Sequence, residues 1–148
     1  MSFEKRLSTS LLLLRLGVGI VFVMWTLDKF LNPGHAAVVW EKYYMIEGLG
    51  VDAAYAIGTV QMVLVLSFLA GAFRSVSYLL IGILHTISTL SAYPQYLNPW
   101  EKPNLLFFAA FPMLAACVAL WLLRDHDTYT VDGMRRQASP QPAFENQT

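Results

Sequence analysis

The sequence predicts an all-α integral membrane protein, built as a four-helix bundle with a short interfacial helix in its first outer loop. Hydrophobic residues make up 56% of the 148 residues and charged residues only 14%, whereas an ordinary soluble domain carries about 25% charged residues. Four apolar runs of about 18 to 21 residues cause this imbalance, and each can cross a hydrocarbon core of roughly 30 Å. The runs lie at residues 11–31, 53–72, 76–93 and 105–123.

The first run follows two basic residues, Lys5 and Arg6, as the apolar region of a signal peptide would. Arg15 interrupts the run, however, and no small-residue cleavage site follows it. We therefore expect this segment to be retained as the first transmembrane helix.

Basic residues near the helix ends predict the orientation, because cytoplasmic loops of membrane proteins carry an excess of Lys and Arg. One set of ends holds Lys5, Arg6, Arg74, Arg124, Arg135 and Arg136. The opposite set holds Lys29, Lys42 and Lys102. Both termini are therefore expected in the cytoplasm. Residues 1–124 form the predicted transmembrane domain, and the polar residues 125–148 form a flexible cytoplasmic tail.

The outer segment between the first and second runs has the start and stop signals of a short helix. Asn32 can cap its beginning, Pro33 suits the first helical position, and Gly48 suits the end. Trp40 lies on an apolar stripe of this segment, so we expect a helix in the plane of the membrane interface.

The remaining loops are short. GAFRS joins the second and third runs in a tight turn containing Arg74, so these two helices must be antiparallel neighbours. The loop after the third run carries Tyr93, Tyr96 and Trp100, which predict an aromatic belt at the headgroup level. Pro103 can begin the fourth helix.

Polar and small residues form a stripe along the predicted helices. In the first helix the stripe follows steps of four and three residues through Arg15, Gly19, Phe22, Thr26 and Lys29. By the rise per residue, Gln61 of the second helix and His85 of the third lie about 15 to 18 Å deep, near the midplane. We predict a ligand- or partner-binding site lined by Arg15, Lys29, Gln61, His85 and Thr89. An interfacial or structural role is predicted for Asp28, Trp40, Arg74 and Trp100.

Each of these residues also has a structural interpretation. Arg15 and Lys29 lie near helix ends, where a long cationic side chain reaches the interface at little cost. His85 can lock the helix register through a hydrogen bond to Gln61, a hydroxyl or a carbonyl, or it can contact a quinone head group and exchange protons. Asp28 beside Lys29 is more often a salt-linked helix end than an acid–base pair. These alternatives stay open from the sequence.

The composition also excludes classes of function. Cys117 is the only cysteine, which excludes dithiol exchange and an iron–sulfur cluster on this chain alone. A haem held by two histidines would need a second histidine inside the membrane, although a pair of His85 with a methionine stays open. The charges balance and form no basic stripe, so no nucleic-acid partner is expected. We predict no catalytic residue and no metal site, and we expect the DHD string at residues 125–127 to be solvated.

The first helix resembles a known family. LLRLGVGIVFVMWTLDKFLNP is similar to the DoxX and DoxD-like family of small four-helix bacterial membrane proteins, whose first helix begins with Arg, continues through Gly and Phe, and closes with Lys before Pro. Here these positions are Arg15, Phe22, Lys29 and Pro33, with Gly17 or Gly19 between them. Two features depart from the family pattern. Gln61 stands where an acidic residue is common, and RDHDTYTVDG replaces a glycine-rich ending.

The resemblance implies a protein of the bacterial cytoplasmic (inner) membrane. Some members of the family are subunits of quinone-linked oxidoreductases, so the leading hypothesis is a small membrane subunit of a redox complex with no redox centre of its own. A quinone is then the expected noncovalent ligand, and a membrane protein or a second copy of the chain is the expected partner. The alternatives are a non-enzymatic assembly, chaperone or accessory protein, and a passive carrier of a small solute. Whether the chain takes part in catalysis is left open.

Overall fold

A computed structural model describes residues 1–138, and this part of the chain is all-helical with no β-strand. The α-helices are α1 (Phe3–Leu31), α2 (Pro33–Tyr44), α3 (Val51–Ala70), α4 (Arg74–Ser91), α5 (Tyr93–Leu97), α6 (Ala110–Leu122) and α7 (Val131–Ala138). Short 3₁₀ helices at Asn104–Ala109 and Arg124–His126 precede and follow α6. The all-α prediction is confirmed.

Three helical segments within residues 1–138 are long and apolar enough to cross a membrane: Phe3–Leu31, Val51–Ala70 and Asn104–Leu122. They correspond to the first, second and fourth predicted runs. Helix α4 covers most of the third run but is less apolar, because Arg74, His85 and several Ser and Thr residues interrupt its leucines and isoleucines.

The four long helices pack in a ring. Helix α1 lies along α3, α4 lies along α6, and contacts between α3 and α4 and between α1 and α6 close the ring. Their buried apolar side chains form one core, made of Leu11, Val18, Phe22, Val65, Phe68, Tyr78, Ile81, Cys117 and Leu120. Successive long helices run in opposite directions. One end of the ring, here called the terminal end, therefore holds the N-terminus of α1, the α3–α4 turn and residues 124–138. The opposite end, here called the cavity end, holds α2, α5 and the 3₁₀ helix Asn104–Ala109.

Local signals explain the helix boundaries. Helix α2 begins at Pro33 as predicted, but it ends at Tyr44, before Gly48, because Met45 takes the left-handed conformation with φ 57°. Helix α3 ends at Ala70 and is capped by Gly71, which has φ +64° and donates its backbone N–H to the Phe68 and Ser67 carbonyls. The α-helical part of the fourth run begins only at Ala110. Pro112 lacks an N–H and therefore tolerates only the first turn of a helix.

The structure differs from the predicted tail over residues 124–138. This segment folds back onto the terminal end, where Asp127 and Thr130 are only 0% and 2% exposed. It packs through polar side chains and backbone groups instead of an apolar stripe, which is why its composition resembles that of a solvated tail. The rest of the predicted tail, residues 139–148, lies outside the described residues.

Candidate functional site

The predicted binding residues separate into two places. Lys29, Gln61, His85 and Thr89 line one cavity, which runs along α1 from Ser10 to Lys29. Arg15 does not line this cavity, because its side chain is in a buried ion pair. The single site predicted from the stripe is therefore divided between the cavity and this ion pair.

The cavity has a volume of about 1260 Å³ and lies among α1, α2, α4, the 3₁₀ helix Asn104–Ala109 and α6. Its walls are mainly apolar and aromatic, and they include Trp25, Trp40, Tyr43, Phe107 and Met113. Binding sites for small organic ligands are typically apolar cavities of about 300 to 1,000 Å³ with a few placed polar groups. This cavity is large enough for an extended ligand.

His85 is the most deeply buried polar group in the cavity wall, at 1% exposure. Its Nε2 lies 3.0 Å from the Ala110 backbone oxygen. A carbonyl oxygen only accepts hydrogen bonds, so Nε2 must carry the proton and Nδ1 of the neutral ring is an acceptor. Nδ1 is buried and has no hydrogen-bond partner within residues 1–138. The register-locking bond therefore goes to Ala110 and leaves Nδ1 without a partner in the described residues.

Two aromatic side chains pack against the His85 ring, and a hydroxyl bonds to its backbone. Thr89, one helical turn further along α4, donates its hydroxyl to the His85 carbonyl at 2.8 Å. The rings of Phe22 and Trp25 on α1 lie with their centroids 6.3 and 6.1 Å from the imidazole centroid. Gln61 reaches the same cavity from α3. The histidine is thus held in an aromatic setting by two helices.

Lys29 and Asp28 do not form the predicted salt-linked pair. Asp28 accepts a hydrogen bond from Asn32 at 3.2 Å and pairs with His35 Nδ1 at 2.6 Å. Lys29 donates to the Trp25 carbonyl at 3.0 Å and lies 6.0 Å from the centroid of the Trp40 ring. The Lys29 ammonium group is therefore a cation in the cavity wall whose neighbouring carboxylate is engaged elsewhere.

Three aromatic or basic residues from the sequence prediction have distinct positions. Trp40 lines the cavity from α2, whereas Trp100 lies outside it and is 86% exposed. Arg74 is buried at the terminal end.

Tyr96, predicted only as part of an aromatic belt, also lines the cavity, and its buried hydroxyl has no partner in the described part of the chain. Burial raises the pKa of Tyr96 above its ordinary value, so this hydroxyl stays a hydrogen-bond donor.

At the terminal end, Arg15 is 2% exposed and pairs with Asp127 at 2.7 Å between Nη1 and Oδ2. The same guanidinium donates to the Tyr78 hydroxyl at 2.9 Å and to the Tyr129 carbonyl at 2.5 Å. Tyr78 in turn donates its hydroxyl to Asp127 at 2.7 Å. These contacts tie α1 and α4 to the segment that follows α6.

Arg74 holds the same segment from the start of α4. Its Nη1 donates to the carbonyls of Arg124 and Asp127 at 2.6 and 2.7 Å, and its backbone N–H donates to Asp132 at 2.9 Å. The Thr130 side chain packs directly against Gly71, so a Cβ at this position would overlap it. These contacts dock residues 124–138 onto the terminal end, and the DHD string that was expected to be solvated supplies the buried carboxylate. Arg15 and Arg74 near the predicted cytoplasmic ends of two helices, with Asp127 and Asp132 in the supposed tail, were the available signal.

In the described part of the chain, no group of three or more His, Cys, Asp or Glu residues could hold a metal ion. Comparison with known proteins gives no match to any family model, curated protein or solved structure. The cavity therefore has an aromatic wall, and its polar lining includes the buried Nδ1 of His85, the Lys29 ammonium group, the Tyr96 hydroxyl and the Asp28–His35 pair.

Proposed function

We propose that this chain is a multi-pass protein of the bacterial cytoplasmic membrane in which α1, α3, α4 and the segment Asn104–Leu122 all cross, with both termini in the cytoplasm. Three of these four segments are long and apolar enough to do so. The excess of Lys and Arg at the terminal end supports the orientation.

The side chains of α4 support its place as a fourth crossing helix. Its polar residues Arg74, Ser77, Tyr78, His85 and Thr89 are buried against the other helices. Its large apolar residues point outward, with Val76, Ile83, Ile87 and Leu90 all between 45% and 67% exposed. A helix that hides polar groups and exposes apolar ones suits a lipid environment, where polar side chains face the protein interior.

Within the membrane, the proposed function is that of a small subunit of a quinone-linked redox complex that holds a quinol-type head group in the cavity. The observation that carries this proposal is the buried Nδ1 of His85, which has no partner in the described residues. A buried acceptor without a donor costs about 1 to 3 kcal/mol, and a ligand hydroxyl would remove that cost. Tyr96 and Lys29 could donate to a second oxygen, and the aromatic wall would pack against the ring.

The chain's own residues would bind and orient the head group and exclude water from it. His85 would accept a hydrogen bond at Nδ1 while Ala110 keeps Nε2 protonated. A bound quinol supplies electrons and protons to a redox centre, and we propose that a membrane partner provides that centre, because one cysteine cannot do dithiol chemistry. The similarity of residues 13–33 to the DoxX and DoxD-like family supports the same assignment.

Titration of the purified protein in lipid nanodiscs with a short-chain quinol tests the proposal. Because Trp25 and Trp40 line the cavity, binding should quench tryptophan fluorescence. We expect His85→Ala to weaken the affinity about tenfold, the loss of about 1.4 kcal/mol for one buried hydrogen bond. The matched control is His126→Ala at the terminal end, which should bind as the unmodified protein does. Failure of the unmodified protein to bind quinol would refute the proposal.

A second probe tests the role of the ligand hydroxyl. The dimethyl ether of the same quinol keeps the ring and the side chain but has no O–H to donate to His85. We expect the ether to bind about tenfold more weakly to the unmodified protein and to bind equally to the unmodified protein and His85→Ala. Equal affinities of quinol and ether for the unmodified protein would show that Nδ1 accepts no hydrogen bond from a ligand hydroxyl.

A further inference from the structure

A cluster of arginines surrounds a second, smaller pocket at the terminal end. The pocket has a volume of about 230 Å³, and its charged lining comprises Arg74, Arg124, Arg135 and Arg136 with Asp125 and Asp132. Four guanidinium groups face two carboxylates, so the pocket has a net positive charge. It shares no lining residue with the cavity of His85.

The arginines differ in what already holds them. Arg74 is buried and engaged with carbonyls and Asp132. Arg124 donates through Nη1 to the Trp121 carbonyl at 2.7 Å and lies 4.9 Å from the Trp121 ring centroid, but its buried Nε has no hydrogen-bond partner among residues 1–138. Arg136 Nη2 contacts Asp125 Oδ1 at 3.3 Å, and both side chains are more than half exposed. An exposed pair of this kind contributes little to stability, so Arg136 can turn to a ligand.

The surface beside this pocket is apolar. Phe73, Val76 and Leu122 are 69%, 58% and 62% exposed, and each lies within two residues of a residue that lines the pocket. Phe73 and Val76 flank the start of α4, and Leu122 ends α6. A molecule with a charged group in the pocket would therefore have apolar side chains directly next to it.

We propose that this pocket binds the phosphate group of an anionic phospholipid, with the acyl chains running along the outer faces of α4 and α6. Guanidinium groups bind phosphate oxygens through short, charge-assisted and often bidentate hydrogen bonds. A phosphate oxygen would satisfy the Nε–H of Arg124, and Arg136 would add a second cation. The proposal shares the membrane placement of the proposed function but does not depend on quinol binding.

Native mass spectrometry of the detergent-solubilised full chain tests this site with defined probes. Short-chain phosphatidylglycerol, phosphatidylcholine of equal chain length and inorganic phosphate are titrated separately. We expect phosphatidylglycerol to bind at least about tenfold more tightly than either of the others, because juxtamembrane Lys and Arg each favour an anionic lipid. Equal binding of the two lipids would overturn the proposal, and inorganic phosphate binding as tightly as phosphatidylglycerol would overturn the lipid assignment.

Paired substitutions locate the site. Arg124→Gln with Arg136→Gln should abolish the preference for phosphatidylglycerol. Lys5→Gln with Arg6→Gln removes the same charge from the same end but outside the pocket, so it should keep the preference within about threefold. Arg136→Gln alone, at an exposed side chain, provides a variant that folds and should lower the preference severalfold. Equal losses in the two double variants would show a general charge effect and refute the pocket.

Discussion

The two ends of the helix ring use similar polar residues in opposite ways. At the terminal end, Arg15, Tyr78 and Asp127 meet at hydrogen-bond distances, and none of the three lines the cavity or the smaller pocket. At the cavity end, His85 and Lys29 line a cavity of about 1260 Å³. Both places bury atoms without a hydrogen-bond partner among residues 1–138: Arg15 Nε and Asp127 Oδ1 in the first, and His85 Nδ1 in the second. The difference teaches that such an atom indicates a binding site only when the fold also leaves a cavity beside it.

The most damaging change to the terminal end should be Asp127→Ala, which leaves Arg15 buried without its carboxylate. Breaking a buried ion pair by removing one partner costs about 3 to 5 kcal/mol. We expect a loss of that size in the free energy of unfolding, measured by chemical denaturation in detergent micelles. Asp125→Ala, which removes an exposed carboxylate two residues away, should cost less than about 1 kcal/mol. Similar losses in the two variants would contradict the buried pair.

Gly71→Ala should loosen the same end through the backbone. The left-handed conformation at Gly71 disfavours any Cβ by about 1 to 2 kcal/mol, and this Cβ would also overlap Thr130. We expect residues 124–138 to detach, so that trypsin cuts after Arg135 and Arg136 several times faster. Gly17→Ala is the matched control, because a Cβ there meets no atom within 4 Å. Unchanged cleavage of the Gly71 variant would refute the docked segment.

At the cavity end, His85→Leu should separate stability from binding. The variant removes the donor to the Ala110 carbonyl, and taking one partner from a buried hydrogen bond costs about 1 to 3 kcal/mol. We expect a loss in the free energy of unfolding of at most about 2 kcal/mol, together with loss of quinol binding. A loss as large as that of Asp127→Ala would show that His85 is a structural group like those at the terminal end.

The smallest effect is expected for Tyr96→Phe. Burial raises the pKa of Tyr96, so above its ordinary value of about 10 the unfolded chain loses this proton before the folded chain does, and stability falls as the pH rises. The variant should match the unmodified protein within about 1 kcal/mol at neutral pH and lose less stability between pH 10 and 12. Identical alkaline profiles of unfolding would contradict the burial of this hydroxyl.

Much of the fold could be predicted from the sequence because its signals are local. The second run at residues 53–72 lies within two residues of α3, and Pro33 begins α2 as expected. Helical spacing also placed His85 and Thr89 on one side of α4. These features follow from hydrophobicity, periodicity and proline chemistry, all of which can be read within a few turns of helix.

Other features depend on contacts that no short pattern encodes. Arg15 and Asp127 are separated by 112 positions, and the segment that carries Asp127 has the composition of a solvated tail. The partner of His85 is a backbone oxygen of Ala110, and every residue has such an oxygen. The stripe therefore joined Arg15 and His85 in one predicted site, although Arg15 belongs to a buried ion pair and His85 to the cavity wall.

The central claim is that Nδ1 of His85 is an available acceptor in the cavity. Nitrogen-15 NMR of the protein labelled at its three histidines observes this atom directly. The account predicts that Nε2 of His85 carries the proton and that added quinol shifts the Nδ1 resonance of His85 but not the resonances of His126. A proton on Nδ1 of the neutral ring before quinol is added, or a His85 spectrum that does not change with quinol, would contradict it.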